Sequence, residues 1–194
     1  MPKDETRAAL IEVGKRMIFE TGFNHTGIQS VLSEAKVPKG SFYYYFSSKE
    51  DFGLAVVEDF LTNHYAVRNQ FFLDTSLTPI TRLRRYFEFQ ANRFEQRNFH
   101  GGCLLGNLGQ ELADQNDTFR ERVQEAFDSW RAGFANCLRE AKATGEIADH
   151  WDESQLADFC LSGWQGAILR MKVSKSRAPL DAYIATVFND LLKT

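Results

Sequence analysis

Apolar residues in this chain recur three and four positions apart, and they rarely alternate with polar ones over the length of a strand. That spacing puts them on one face of a helix with 3.6 residues per turn, and it does not suit half-buried strands. Breakers are few, with 4 Pro in 194 residues, of which Pro38, Pro79 and Pro179 fall between periodic segments. The chain is therefore expected to be all-α, with about nine helices. At 43% hydrophobic content it can bury a sizeable core, which excludes a disordered chain.

The local signals divide the helices. The first is expected from about Asp4, read as its N-cap, to Thr21, with Leu10, Val13, Gly14, Met17 and Ile18 on one face and Gly22 ending it. A second, about two turns long, follows Thr26, whose hydroxyl is suited to capping, and carries Ile28, Val31, Leu32 and Ala35. Lys36 and Val37 make a turn. Pro38 is expected at the first position of a third helix, where its missing N–H costs nothing, with Phe42 and Phe46 buried. Ser48 caps a fourth helix to about Leu73, and Thr78-Pro79 opens a fifth to about Gln96. Further helices run from Cys103 to about Gln115, from Asn116-Asp117 to about Thr144 before Gly145, from Asp152 to about Val173, and from Leu180 to about Lys193.

The first three helices carry the functional signal. Two short helices joined by a tight turn and docked on a longer one match helix-turn-helix geometry, in which the second short helix enters the major groove. Around the buried Phe42 and Phe46, the residues Lys39, Ser41, Tyr43 and Tyr44 offer outward donors. Three consecutive tyrosines, Tyr43 to Tyr45, point in successive directions around a helix, so they cannot all be buried. Lys39 and Lys49, the hydroxyls of Thr26, Tyr43 and Tyr44, and free N–H groups at helix starts suit phosphates. Gly40 permits close approach to the groove floor, where Lys39 can donate to guanine O6 or N7.

The segments Thr26-Gly27-Ile28-Gln29-Ser30-Val31-Leu32 and Val37-Pro38-Lys39-Gly40-Ser41-Phe42-Tyr43-Tyr44-Tyr45-Phe46-Ser47-Ser48-Lys49-Glu50 resemble the TetR family of transcriptional repressors. The match is dense over about the first 50 residues. The resemblance implies that Lys39, Gly40 and Tyr43 lie near bases and that Thr26, Tyr44 and Lys49 lie on the backbone of operator DNA. It also implies an N-terminal helix-turn-helix DNA-binding domain over residues 1–48 and a helical effector-binding and dimerisation domain over 49–194. Tyr45 stands where many members have His.

In the larger domain, Phe87, Phe94, Phe127, Trp130 and Phe134 form an aromatic lining suited to a small-molecule effector. The resemblance implies that effector binding releases the operator. Cys103 follows Gly101-Gly102 at an expected helix start, a setting that favours thiolate and reactivity. The stretch Gly101 to Asn107 resembles the electrophile-sensing branch of the family, which includes N-ethylmaleimide-responsive and acrylate-responsive repressors. A small buried packing cysteine fits the same position.

The last two helices show wide apolar faces with small residues: Phe159, Gly163, Trp164, Ala167 and Arg170 on one, Ile184 and Phe188 on the other. Pairing with a symmetry mate would give a four-helix homodimer interface suited to a pseudo-palindromic operator.

Other classes find less support. A cysteine-dependent helical enzyme using Cys103 is the alternative function, but Gly-x-Ser-x-Gly, His-Glu-x-x-His and phosphate-loop motifs are absent. Neither a cofactor nor a metal is expected, since His100 and Cys103 lack a partner pair. His25, His64 and His150 read as surface or loop residues. Cys103, Cys137 and Cys160 lie 34 and 23 residues apart and read as free thiols. No run approaches the roughly 18 apolar residues of a membrane span, and Met1 to Glu5 lacks a secretory apolar core, so a cytoplasmic protein is expected. The net charge of -3 argues against a polybasic coat, yet residues 36–49 hold Lys36, Lys39 and Lys49 and no acidic side chain. DNA binding is therefore expected on one small face.

Overall fold

The structure, a computed structural model, describes residues 3–192. Among these the chain forms α1 (Lys3–Thr21), α2 (Ile28–Glu34), α3 (Phe42–Tyr45), α4 (Lys49–Phe72), α5 (Pro79–Gln96), α6 (Leu104–Leu112), α7 (Asp117–Ala143), α8 (Glu153–Ser174) and α9 (Ala178–Ala185). A π-helical turn, Thr186–Leu191, continues α9. The all-α expectation holds over the described residues. The expected end of the last helix, Lys193, lies outside them.

Local chemistry sets most boundaries. Thr78 caps α5 by accepting the Thr81 N–H, Asp152 caps α8 by accepting that of Gln155 at 2.8 Å, and Ser48 Oγ accepts the Asp51 N–H at 3.0 Å. Gly22 and Gly145 end α1 and α7 with φ of 88° and 76°, a conformation that favours glycine. Three local readings shift. Asp4 lies inside α1, because that helix already includes Lys3. Pro38 starts a turn, with the Ser41 N–H donating to its carbonyl at 3.0 Å, and the helix proper begins at Phe42. Cys103 immediately precedes α6 instead of opening it.

The fold divides into two compact units, one comprising the chain up to His64 with Leu104–Val123, the other Tyr65–Cys103 with the chain from Gln124 on. In the first, Phe42, Phe46 and Phe52 form a triangle of rings with centroids 5.0 to 5.6 Å apart. Gly14 of α1 lies under Phe52, so close that a Cβ there would overlap the ring. Lys15 of α1 pairs with Asp59 of α4 at 2.7 Å, and Arg16 of α1 pairs with Glu34 of α2. Burying each phenyl ring contributes about 2 to 3 kcal/mol, so this cluster carries much of the unit's stability. His64 is also buried here, stacked near Phe60 with centroids 5.9 Å apart, which corrects its reading as a surface residue.

In the second unit α5, α8 and α9 pack around Phe87, which is fully buried and has Trp164, Tyr183, Phe134 and Phe188 within 4.8 to 5.9 Å. Gly163 faces the Tyr183 ring, where a Cβ would come within 2.9 Å, and so allows α8 and α9 to approach. Buried Arg82 of α5 donates to the Phe72 carbonyl at 2.7 Å and pairs with Glu140 of α7.

Candidate DNA interface and cysteine site

The geometry of the first unit starts at the end of α2. Lys36 adopts φ 55°, the Val37 N–H returns to the Leu32 carbonyl at 2.9 Å, and that of Lys36 to Ser33 at 3.2 Å. This is the paired-bond helix stop that usually recruits glycine. It turns the chain sharply and presents Pro38 to Ser41 as an exposed shoulder leading into α3.

On that shoulder Lys39 and Gly40 are exposed, with open space around Gly40, while Ser41 is half-buried and begins α3 without a side-chain capping bond. Phe42 and Phe46 anchor the single turn of α3 at 1% and 2% exposure. Tyr43 and Tyr44, between them, are 70% and 65% exposed, as three successive tyrosines require. The structure thus leaves Lys39, Gly40, Tyr43 and Tyr44 exposed, with Ser41 half-buried among them.

Two of the expected backbone-contacting residues are held differently. Thr26 is 2% exposed and its hydroxyl donates to the Gly22 carbonyl at 2.7 Å, so the cap of α2 falls to Gly27. The hydroxyl turns inward because the loop after Gly22 must satisfy its own carbonyls when buried. Lys49 is half-buried: its Nζ donates to the Asn24 carbonyl at 3.1 Å and lies 4.8 Å from the Phe23 ring centroid. Burial lowers its pKa, opposed by the charge of Glu111.

Sequence reasoning passed over Lys3 and Arg7. They lie one helical turn apart on α1, Lys3 with its Nζ 4.6 Å from the Tyr44 ring and Arg7 with its guanidinium 5.1 Å from Phe46. Both are exposed and extend the positive face beyond α3. The visible signal was a basic pair at i, i+4 on α1.

In the second unit Cys103 is 8% exposed. The Gln165 amide donates to its Sγ at 3.6 Å, and Arg97 lies within electrostatic reach. The backbone leading to it is left-handed at Asn98, Phe99, Gly101 and Gly102, with φ between 50° and 80°. Cys137 and Cys160 are buried in helices, and burial pushes each thiol up to about 11.

Of the expected effector lining, Phe87, Phe94, Trp130 and Phe134 are buried and Phe127 is half-buried against Trp130, with centroids 5.6 Å apart. Phe87 and Phe134 pack directly on one another, with centroids 5.3 Å apart. The described hollows lie elsewhere. One of about 350 Å³ is bounded by Arg84, Arg177 and Asn189, and another of about 310 Å³ by Trp151, Leu156 and Phe159.

The expected dimer residues split. Trp164, Ala167, Ile184 and Phe188 are 5 to 7% exposed within their own chain, Trp164 and Phe188 packing on Phe87. Phe159 and Arg170 are exposed, and Gly163 serves the internal contact with Tyr183. The outward apolar residues of α8 are Phe159, Leu169 and Val173, with Gly166 open to space. Among the described residues no helix is long and apolar enough to cross a membrane, and no group of three or more His, Cys, Asp or Glu is gathered to hold a metal.

Comparisons with known proteins agree with this architecture. Residues 10–56 match the model for bacterial regulatory proteins of the tetR family, and residues 79–187 that for the tetracyclin repressor-like C-terminal domain. The transcriptional regulator AcuR of Cereibacter sphaeroides is 39% identical over 178 residues, covering 92% of this chain and 81% of that protein. The HTH-type transcriptional repressor DhaR of a Mycobacterium species is 36% identical over 192 residues, covering 99% and 95%. The crystal structure of Escherichia coli NemR in its reduced form superposes with a TM-score of 0.88 at 29% identity, covering 95% of this chain and 96% of that one. With an exposed shoulder on a helix-turn-helix core and both halves matched, the chain belongs to the TetR family and is a DNA-binding transcriptional regulator.

Proposed function

We propose that this protein is a homodimeric repressor that leaves a pseudo-palindromic operator when a small electrophile reacts at Cys103. One observation carries the DNA half of this reading: Lys39, Gly40, Tyr43 and Tyr44 stand exposed, with Ser41 half-buried among them, on a turn anchored by two buried phenylalanines. Lys39 and Tyr43 read bases, while Tyr44, Lys49, Lys3 and Arg7 follow the phosphates. Residues 1–48 act as the reading domain and 49–194 as the effector and dimerisation domain, in the cytoplasm. Dimerisation uses the outward stripe Phe159, Gly166, Leu169 and Val173 of α8.

The effector half rests on Cys103. Its sulfur accepts a hydrogen bond from Gln165 and lies within electrostatic reach of Arg97. That the NemR relative is described in a reduced form is in keeping with this reading.

The test is operator binding over a salt series. Lys39→Ala is expected to relax base preference at unchanged slope, and Lys49→Ala to flatten the log–log slope by about 2 per dimer, at about 0.9 per lost phosphate contact. N-ethylmaleimide should weaken binding of the parent and leave Cys103→Ser unaffected. Equal sensitivity of both proteins would remove Cys103 as the sensor.

A further inference from the structure

The loop between α1 and α2 holds a carboxylate that neither base reading nor effector chemistry uses. Glu111 reaches it from α6, accepting the Phe23 N–H on Oε2 at 2.9 Å and the Asn24 N–H on Oε1 at 2.7 Å. Two consecutive backbone N–H groups turned to one anion form a nest, and bonds to a charged acceptor are about twice as strong as neutral ones. The loop is shaped around this carboxylate. Gly22 there has φ 88°, and a Cβ on it would come within 2.8 Å of Glu111 Oε2.

The next peptide along holds Lys49, whose Nζ donates to the Asn24 carbonyl at 3.1 Å. Glu111 and Lys49 therefore hold Asn24 from both ends, the carboxylate through its N–H and the ammonium through its carbonyl. Thr26 completes the loop, with its hydroxyl on the Gly22 carbonyl just before α2 begins.

We propose that Glu111 is a positioning residue for operator binding: it clamps the Phe23–Asn24 peptide and thereby sets Lys49 and the start of α2 for the phosphates, without touching DNA. The inference rests on the DNA-reading function proposed above and adds a device on α6, the helix that begins one residue after Cys103.

The test uses the full-length protein and its operator in a salt series, with amide hydrogen exchange at Phe23 and Asn24. Glu111→Gln replaces one acceptor oxygen by a donor. It is expected to raise the operator Kd roughly tenfold or more, to speed exchange at both amides, and to flatten the salt slope as Lys49→Ala does. The double variant Glu111→Gln with Lys49→Ala should then bind no worse than Lys49→Ala alone by more than about twofold. Glu111→Asp, which keeps the charge, should recover part of the affinity. Gly22→Ala, which pushes on the carboxylate from the loop side, gives a second route to the same loss if Glu111→Gln folds poorly.

A purely structural Glu111 would leave the slope at the parent value and give losses additive with those of Lys49→Ala, and that result overturns the proposal. So does parent-like Kd in both Glu111→Gln and Gly22→Ala. A parent protein that shows no operator preference at all instead overturns the DNA reading on which the clamp depends.

Discussion

Lys36 sits where glycine is the ordinary choice, at φ 55° in the stop that ends α2. A left-handed conformation costs a side-chain-bearing residue about 1 to 2 kcal/mol, partly offset because glycine loses more freedom on folding. Lys36→Gly is therefore expected to stabilise the protein by about 0.5 to 1 kcal/mol in urea unfolding. Unchanged or lower stability would mean that the lysine stem makes compensating contacts. The cysteines give a second prediction at this scale. Burial holds the Cys137 and Cys160 thiols near 11, protonated and unreactive at neutral pH. Brief treatment of the folded protein with N-ethylmaleimide should give a single adduct, at Cys103 by peptide mass mapping, and three adducts after denaturation. Labelling of Cys160 in the folded state would contradict its burial.

Individual elements are held by long-range polar staples as well as by their apolar faces. Arg82 of α5 ties the end of α4, through the Phe72 carbonyl, to Glu140 of α7. Hydrogen bonds to a charged group contribute about 1.5 to 3 kcal/mol, and leaving a carbonyl unsatisfied adds to the loss. Arg82→Ala should thus lower stability by about 2 to 4 kcal/mol, and Glu140→Gln by less, since a neutral acceptor remains. Equal effects would show that the carboxylate charge dominates. A milder staple joins α4 to α7, where Arg122 Nη2 donates to Glu58 Oε2 at 2.9 Å. The hydrogen bond from Arg122, opposed by desolvation, holds the Glu58 pKa below its usual value of 4.5. A depressed folded-state pKa means that this stability is present above the unfolded value and is lost as pH falls through the folded one. For a half-exposed pair the amount is about 0.2 to 1 kcal/mol. Acid titration of Glu58→Gln should show a shallower loss of stability below pH 4.5 than the parent does.

At the scale of the whole molecule the question is what covers α8. Phe159, Leu169 and Val173 are 55%, 46% and 78% exposed, and Gly166 between them is open. A row of large apolar side chains with a small residue among them suits a second helix lying close across it. Leu169→Glu with Val173→Glu would bury charge in such a seam. The pair is expected to convert a dimer to monomers in light scattering and to weaken operator binding at least tenfold, because two half-sites would no longer be read together. A double variant that stays dimeric would place the seam on another face.

The all-helical class, the cap at Ser48, the helix starts at Thr78-Pro79 and Asp152, the stops at Gly22 and Gly145, and the outward placing of Tyr43 and Tyr44 were all legible in the sequence. Each depends on residues three or four positions apart, and such spacing is written in the chain itself. The tertiary structure decided what local spacing cannot. Trp164 and Phe188 face inward because the distant Phe87 occupies their side, and Phe87 and Phe134 pack on each other where an effector lining was expected. Thr26 turns its hydroxyl to Gly22, and Glu111 finds two N–H groups 88 and 87 residues away. An amphipathic pattern states that a face is buried and leaves its partner open, because that partner is chosen by packing across the folded chain.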